Sequence, residues 1–254
     1  LKIVGFLAAF STGLLLLFAV ADFPDWADPQ APASIHVSPH YITHTIEETA
    51  VPNVVTSVLA DYRGYDTMLE TTVVFAAGLA VYALLRRKSK KYPTETDEEP
   101  EEEIVLPHQA LIVKTVARLL APFMQIFALY VIAHGHHSPG GGFQGGVILG
   151  ASFILLAISY DLKMILDRMK ERTNLILLTT GVIIYSGIGT LCALFKMNFL
   201  DYSALTAILP ATDKIMARSH GIFGVEIGVA FTVMSAMIII YVNLSSNGKY
   251  DSGL

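Results

Sequence analysis

Charge and cysteine are both scarce in this chain. Only 15% of its 254 residues are Asp, Glu, Lys or Arg, against roughly 25% in an ordinary soluble domain. The one cysteine, Cys192, lies inside an apolar segment. That excludes a disulfide framework or a cysteine-based metal or iron–sulfur centre within the chain. A phosphate-binding loop, a nucleophile elbow and a dinucleotide fingerprint are all missing. The chain is therefore expected to hold no catalytic site and no cofactor of its own, and no metal. Whether it serves as part of an enzyme complex is left open. No basic, aromatic-rich patch points to nucleic acid. The formal net charge of -5 comes largely from one acidic run and says little about partners.

What the chain has instead is apolar length: 53% of its residues are hydrophobic. Six segments are long enough to span, or nearly so, at residues 3–20, 67–85, 110–133, 145–160, 174–195 and 221–242. The expected fold class is an all-α membrane protein of about six transmembrane helices. The fourth segment is short and must extend into its polar flanks or lean on neighbours. The first also fits a signal peptide, with Lys2, an apolar run and Ala19-Val20-Ala21; an uncleaved helix is the expectation. Lys2, Arg86, Arg87, Lys88, Lys90, Lys91, Lys163, Arg168, Lys170, Arg172 and Lys249 fall on one side, and Arg63, Lys196, Lys214 and Arg218 on the other. The positive-inside rule then places both termini in the cytoplasm, in a multi-pass protein of the cell membrane.

Residues 93–103 hold seven acids and two prolines and cannot bury a core. The expected division is a two-helix unit at 1–91, an acidic linker at 92–106 and a four-helix unit at 107–254. In the outer loop, His36, His40 and His44 recur every four residues. Ser38 and Pro39 argue against a continuous helix there, and a solvated loop is favoured over a metal site.

Ionisable residues inside spans are functional candidates. Glu70 lies about one turn into the second span and could accept a proton or help bind a cation, tuned by Arg63 and Asp66. Its plainer alternative is an interfacial glutamate that reaches water. Lys114 and Arg118, four apart, share a helix face; they either relay protons or snorkel to lipid headgroups. Glu226 is the most deeply placed acid, with His220 nearly two turns earlier and Gly221, Gly224 and Gly228 as a close-packing stripe. It is either part of an ion path or a hydrogen-bonded structural acid.

Between the third and fourth spans, residues 134–146 read His-Gly-His-His-Ser-Pro-Gly-Gly-Gly-Phe-Gln-Gly-Gly, with three histidines and six glycines in thirteen residues. Imidazole is the side chain whose ordinary range lies nearest neutral pH, but His134, His136 and His137 make poor zinc ligands, since two are adjacent and no fourth ligand is evident. Pro139, Gly140, Gly141 and Gly142 suggest a tight turn packed on a partner helix, with Phe143 against apolar surface. The stronger ion-handling candidates, Glu70 and Glu226, are expected to lie elsewhere, leaving the turn to shape the mouth of a path.

The stretch from Gly135 to Gly146 resembles the G-H-N-x-P-G-G-G-F-x-G-G signature of the B subunit of Mrp-type multisubunit cation/proton antiporters. Lys114-Thr115 and the His220-Gly…Val-Glu226-Ile-Gly run fit the same subunit, so the resemblance covers about residues 107–242. Residues 51–56 and 61–73 resemble the C-terminal tail of the large A subunit. Both parts also occur in archaeal membrane-bound respiratory complexes, the hydrogenase and its sulfur-reducing relative. The resemblance implies exchange of sodium for protons, with Na+ and H+ as the transported ions. It implies roles for Glu70, Pro139 and Phe143, while His137 replaces the usual Asn. Implied partners are antiporter-like A and D subunits, small C, E, F and G types, lipid and, in a respiratory setting, hydrogenase-like iron–sulfur subunits. The expected function is an accessory subunit of a sodium/proton exchange module within a larger redox-driven complex. The alternative is a structural scaffold that carries no ions.

Overall fold

The computed structural model describes residues 2–86, 107–195, 197–209, 213–246 and 248. Among these, every regular element is helical. The expected acidic linker at 92–106 lies outside the described residues, as do Arg87, Lys88, Lys90, Lys91, Lys196 and Lys249 of the charge count. Packing divides the chain into two compact units, Leu1–His44 and Thr45–Leu254. This division falls earlier than the boundary expected at the linker.

The first unit begins with α1 (Lys2–Val20), which has no buried residue. A helix apolar on all sides is suited to lipid. A wide turn at Ala33–Val37 leads into α2 (Ser38–Thr49), within which the two units divide. The sequence argued against a helix through Ser38 and Pro39, and the structure corrects that expectation. The Ser38 N–H donates to the Ala33 carbonyl, five residues back. Such a widened turn accommodates a proline ring that has no N–H to give. His40 and His44 then stack, with ring centroids 4.7 Å apart.

The second unit contains α3 (Val54–Ser57), a wide turn at Val58–Tyr62, α4 (Gly64–Leu85), α5 (Pro107–Ala133), α6 (Gly142–Ser159), α7 (Leu162–Arg168), α8 (Glu171–Leu194) and α9 (Lys214–Ser245). Helices α1, α4, α5, α6, α8 and α9 are each long and apolar enough to cross a membrane. The chain is a multi-pass, all-α membrane protein.

Helix α9 is the axis of the second unit. In its most apolar stretch 72% of residues are buried, against 11% in α4 and 22% in α5. Helices α4, α6 and α8 pack on α9, and α5 packs chiefly on α6. Small residues allow this. Gly142, Gly146 and Gly150 stand four apart on one face of α6. A Cβ on them would lie 2.0 Å from the Glu226 carbonyl oxygen, 2.8 Å from that of Ala230 and 3.3 Å from that of Met234. On α8, a Cβ at Gly181 would come within 2.3 Å of the Gly228 carbonyl oxygen. Backbone meets backbone along both seams. Outward-facing Leu111, Ile112, Leu119, Phe123 and Phe127 of α5 remain exposed, as lipid requires of a spanning helix.

The element boundaries refine the expected spans. Helix α6 extends three residues into the glycine turn and so reaches 18 residues. Helix α9 begins seven residues earlier than expected, because Asp213 caps it: its Oδ1 accepts from the Met216 N–H at 2.7 Å.

Candidate functional site

After α5, the chain turns through residues 134–141. Gly140 and Gly141 adopt φ of 154° and 138°, a region glycine alone enters readily. The turn is held from within the chain. Asn53 Nδ2 donates to the carbonyl oxygens of Gly135 (2.9 Å) and Ser138 (2.8 Å). The Asn53 N–H donates to the His136 carbonyl at 3.0 Å, and Thr56 Oγ1 to that of Gly135 at 2.8 Å. Asn53 also caps α3, its side chain accepting from the Val55 N–H. The sequence assigned Asn53 and Thr56 no role, although both fall in the stretch that resembles the tail of the large A subunit.

Glu226 sits directly beneath this turn. Its residue exposure is 8%. A Cβ at Gly141 would lie 2.5 Å from Glu226 Oε1, and one at Gly135 would lie 2.9 Å from Oε2. The backbone N–H of Gly142, at the start of α6, hydrogen-bonds to the carboxylate. The first turn of a helix presents unpaired N–H groups and the positive end of its dipole to an anion. Oε2 nevertheless has no hydrogen-bond partner among the described residues. The expectation that the acids stand apart from the turn is therefore corrected. The glycines bring backbone so close that the turn and Glu226 form one site.

A cavity of about 280 Å³ opens beside them. Its wall includes Glu70 from α4, Glu226 from α9, Pro139, Gly140, Gly142 and Phe143. Asn53, Thr56, Thr67, Gln144 and Tyr185 add further polar groups to the lining. Glu70 is exposed and Glu226 buried, so one cavity joins an accessible carboxylate to an enclosed one. Asp66 takes a different partner: Arg63 Nε donates to its Oδ2 at 2.6 Å.

Of the three histidines of the turn, His134 and His137 lie together, ring centroids 5.4 Å apart, and His136 turns to α9. His134 stacks on Tyr130, centroids 4.9 Å apart, and His137 is exposed. His136 meets the edge of Phe223 at 5.9 Å. Burial pushes the His136 imidazole below its ordinary value, and His137 and His220 add to the effect. His220 is exposed and off the cavity.

A half-buried ion pair closes the same end of the bundle. Arg218 Nε and Nη2 donate to Asp61 Oδ2 and Oδ1, both at 2.8 Å, and the guanidinium lies 5.6 Å from the Tyr62 ring centroid. Burial raises the Asp61 carboxyl above its ordinary value, against the lowering effect of Arg218. Sequence reasoning treated both residues only as loop charges. Their pairing spans 157 residues of chain, and no local signal marks it.

Lys114 and Arg118 are not brought to the glutamates. The Lys114 ammonium lies 5.9 Å from the Tyr160 ring centroid. Arg118 lines a separate cavity of about 180 Å³ with Gln125, Met164 and Arg168.

Comparison with known proteins bears on the whole assembly. Residues 112–239, which contain the turn and Glu226, match the family described as a domain related to the MnhB subunit of Na+/H+ antiporter. The chain belongs to this family. Residues 20–103 match a second family, described as the E-type subunit of MBH. The MnhB-related chain is 27% identical over 225 residues to a Rhizobium meliloti (strain 1021) protein named as the probable A/B subunit of a K(+)/H(+) antiporter, covering 82% of this chain and 22% of that protein. It is 29% identical over 135 residues to the putative antiporter protein mnhB2 of Staphylococcus aureus (strain Newman), covering 53% of this chain and 94% of the relative. The chain thus spans about a fifth of the Rhizobium protein and nearly all of the staphylococcal one is matched within it. Among solved structures, a chain of the membrane-bound sulfane sulfur reductase, an archaeal respiratory membrane complex, superposes with a TM-score of 0.57 at 26% identity. That match covers 94% of this chain and 97% of that one. A chain of the Mrp complex from Dietzia sp. DQ12-45-1b gives a TM-score of 0.55 at 24% identity, covering 93% of this chain and 26% of that one. The second likeness is one of fold alone.

Proposed function

We propose that this MnhB-related chain is an accessory subunit of a sodium/proton exchange module, and that one ion-handling step takes place between Glu70 and Glu226. The observation that carries the reading is the single cavity that both carboxylates line. An enclosed carboxylate needs a positive partner, and a proton and a sodium ion are alternative partners for the same oxygens. Glu70 receives the ion at the accessible end and Glu226 holds it beneath the turn. Exchange follows when the two partners are taken from and released to different sides. Asp66, tied to Arg63, acts on Glu70 by charge. Lys114, Arg118 and His220 lie off this cavity, and the step does not need them.

The main proton path belongs to larger antiporter-like A and D partners with long series of buried Lys and Glu. Small C, E, F and G types complete the module. The match to almost the whole length of a sulfane sulfur reductase chain favours a redox-driven setting with iron–sulfur partner subunits. The lysine and arginine distribution favours both termini on the cytoplasmic side. A scaffold role is the second reading, favoured by the glycine seams that join α6 and α8 to α9.

The test is sodium-dependent proton movement in vesicles carrying the complex with Glu70→Gln or Glu226→Gln. Exchange is expected to fall in both variants with subunit content unchanged. Wild-type exchange in both would leave the scaffold reading.

A further inference from the structure

At the end of the bundle remote from the turn, two cations lack anions among the described residues. Arg118 of α5 and Arg168 of α7 line one cavity, with Gln125, Pro122, Met164 and Leu156 as its other principal walls. Neither guanidinium has an ion-pair or hydrogen-bond partner among the described residues. Asp161, the acid at the elbow between α6 and α7, is turned to its own helix, accepting from the Lys163 N–H.

The depth of Arg118 follows from its neighbours. Helix α6 has 18 residues and is about 27 Å long, just enough to cross the hydrocarbon. Tyr160, at its end, donates its hydroxyl to the Lys114 carbonyl at 2.9 Å. Lys114 is therefore level with the membrane boundary, and Arg118 lies about one turn, ~6 Å, further in. A guanidinium at that depth without a counter-charge is costly. Helix α7, anchored by buried Leu162 and Ile165, brings Arg168 to the same cavity. The volume, about 180 Å³, equals about six waters at ~30 Å³ each, enough for a tetrahedral anion. Two guanidiniums on one cavity suit phosphate oxygens through forked hydrogen bonds.

We propose that Arg118 and Arg168 form a binding site for a phosphate group, supplied by the headgroup of an anionic membrane lipid. The site is separate from the glutamate cavity and does not depend on the exchange reading.

The test is native mass spectrometry of the detergent-purified complex, titrated with phosphatidylglycerol, phosphatidylcholine or inorganic phosphate. Wild-type complex is expected to bind phosphatidylglycerol saturably and in preference to phosphatidylcholine. The Arg118→Gln/Arg168→Gln double variant should bind it about thirtyfold more weakly, as expected for the loss of two cationic contacts. The Arg118→Lys/Arg168→Lys variant keeps the charges but not the forks and should bind more tightly than the double glutamine variant and more weakly than wild type, which separates loss of the site from loss of fold. Inorganic phosphate that binds alone with the same arginine dependence, while lipid does not, would keep the phosphate chemistry and overturn the lipid source. Equal binding by the double glutamine variant, or no preference for the anionic lipid, would overturn the site. So would a structure of the assembled complex that places a partner subunit's carboxylate in ion-pair contact with Arg118.

Discussion

Beneath the turn, a carboxylate is enclosed by backbone: Glu226 is bounded by Gly135, Gly141 and Gly142, whose missing side chains make the room it occupies. At the remote end, Arg118 and Arg168 border a cavity of side chains from α5, α6 and α7, and both remain exposed. The acid is held rigidly between two elements far apart in sequence. The arginines reach outward on long stems. An ion that must be held and released in one geometry needs the first kind of site, and a contact with a fluid lipid layer tolerates the second. On the proposed reading, ion handling in this fold falls where glycine lets backbone approach, rather than where charge is densest.

Substitutions can break or sharpen that contrast. The largest effect is expected from Asp61→Ala, which strips the half-buried Arg218 of its partner at the turn end. The loss should be about 3 kcal/mol, read as a fall in the thermal midpoint of the purified complex. Gly142→Ala comes next. A Cβ there meets the Glu226 carbonyl at 2.0 Å, so overpacking should cost about 2–3 kcal/mol and disturb exchange as well. Gly187→Ala on α8, where nothing lies within 4 Å, is the control: it should spare exchange and hold or raise the thermal midpoint, by up to about 1 kcal/mol. At the C-terminal end of α4, Tyr82 donates to Glu171 Oε1 at 2.6 Å beside Arg86. Tyr82→Phe should cost about 1 kcal/mol and spare exchange.

The smallest effect is a pH dependence at the turn. His136 is held below its ordinary value of 6.5 by burial first, then by His137 and His220. The folded state therefore binds this proton less readily than the unfolded chain does. The associated stability is fully present above pH 6.5 and is lost as pH falls below it. Melting midpoints of the wild-type complex should drop more steeply between pH 7 and pH 5 than those of His136→Gln. Parallel curves would show that His136 stays in contact with water.

The helices and their lipid-facing surfaces were legible in the sequence because apolar length is a local signal. The turn was legible too, since Pro139 and six glycines in thirteen residues have few other uses. The pairing of helices was not. All the spans are similarly apolar, and nothing in their periodicity states which faces which. Asn53 reaches Gly135 across 82 residues, and Glu226 lies 85 residues from Gly141. That separation is why the acids were expected apart from the turn they sit beneath. Pro39 misled for a different reason: the wide turn at Ala33–Val37 that absorbs it has no sequence signature.

The most direct test of the central claim is isotopic sodium flux through vesicles containing the assembled complex with Glu226→Gln. An amide keeps the volume beneath the turn but cannot alternate between a proton and a sodium ion. Sodium exchange against a proton gradient should fall to the level of vesicles lacking the complex, with subunit content and thermal midpoint unchanged. Wild-type flux in that variant would contradict the account.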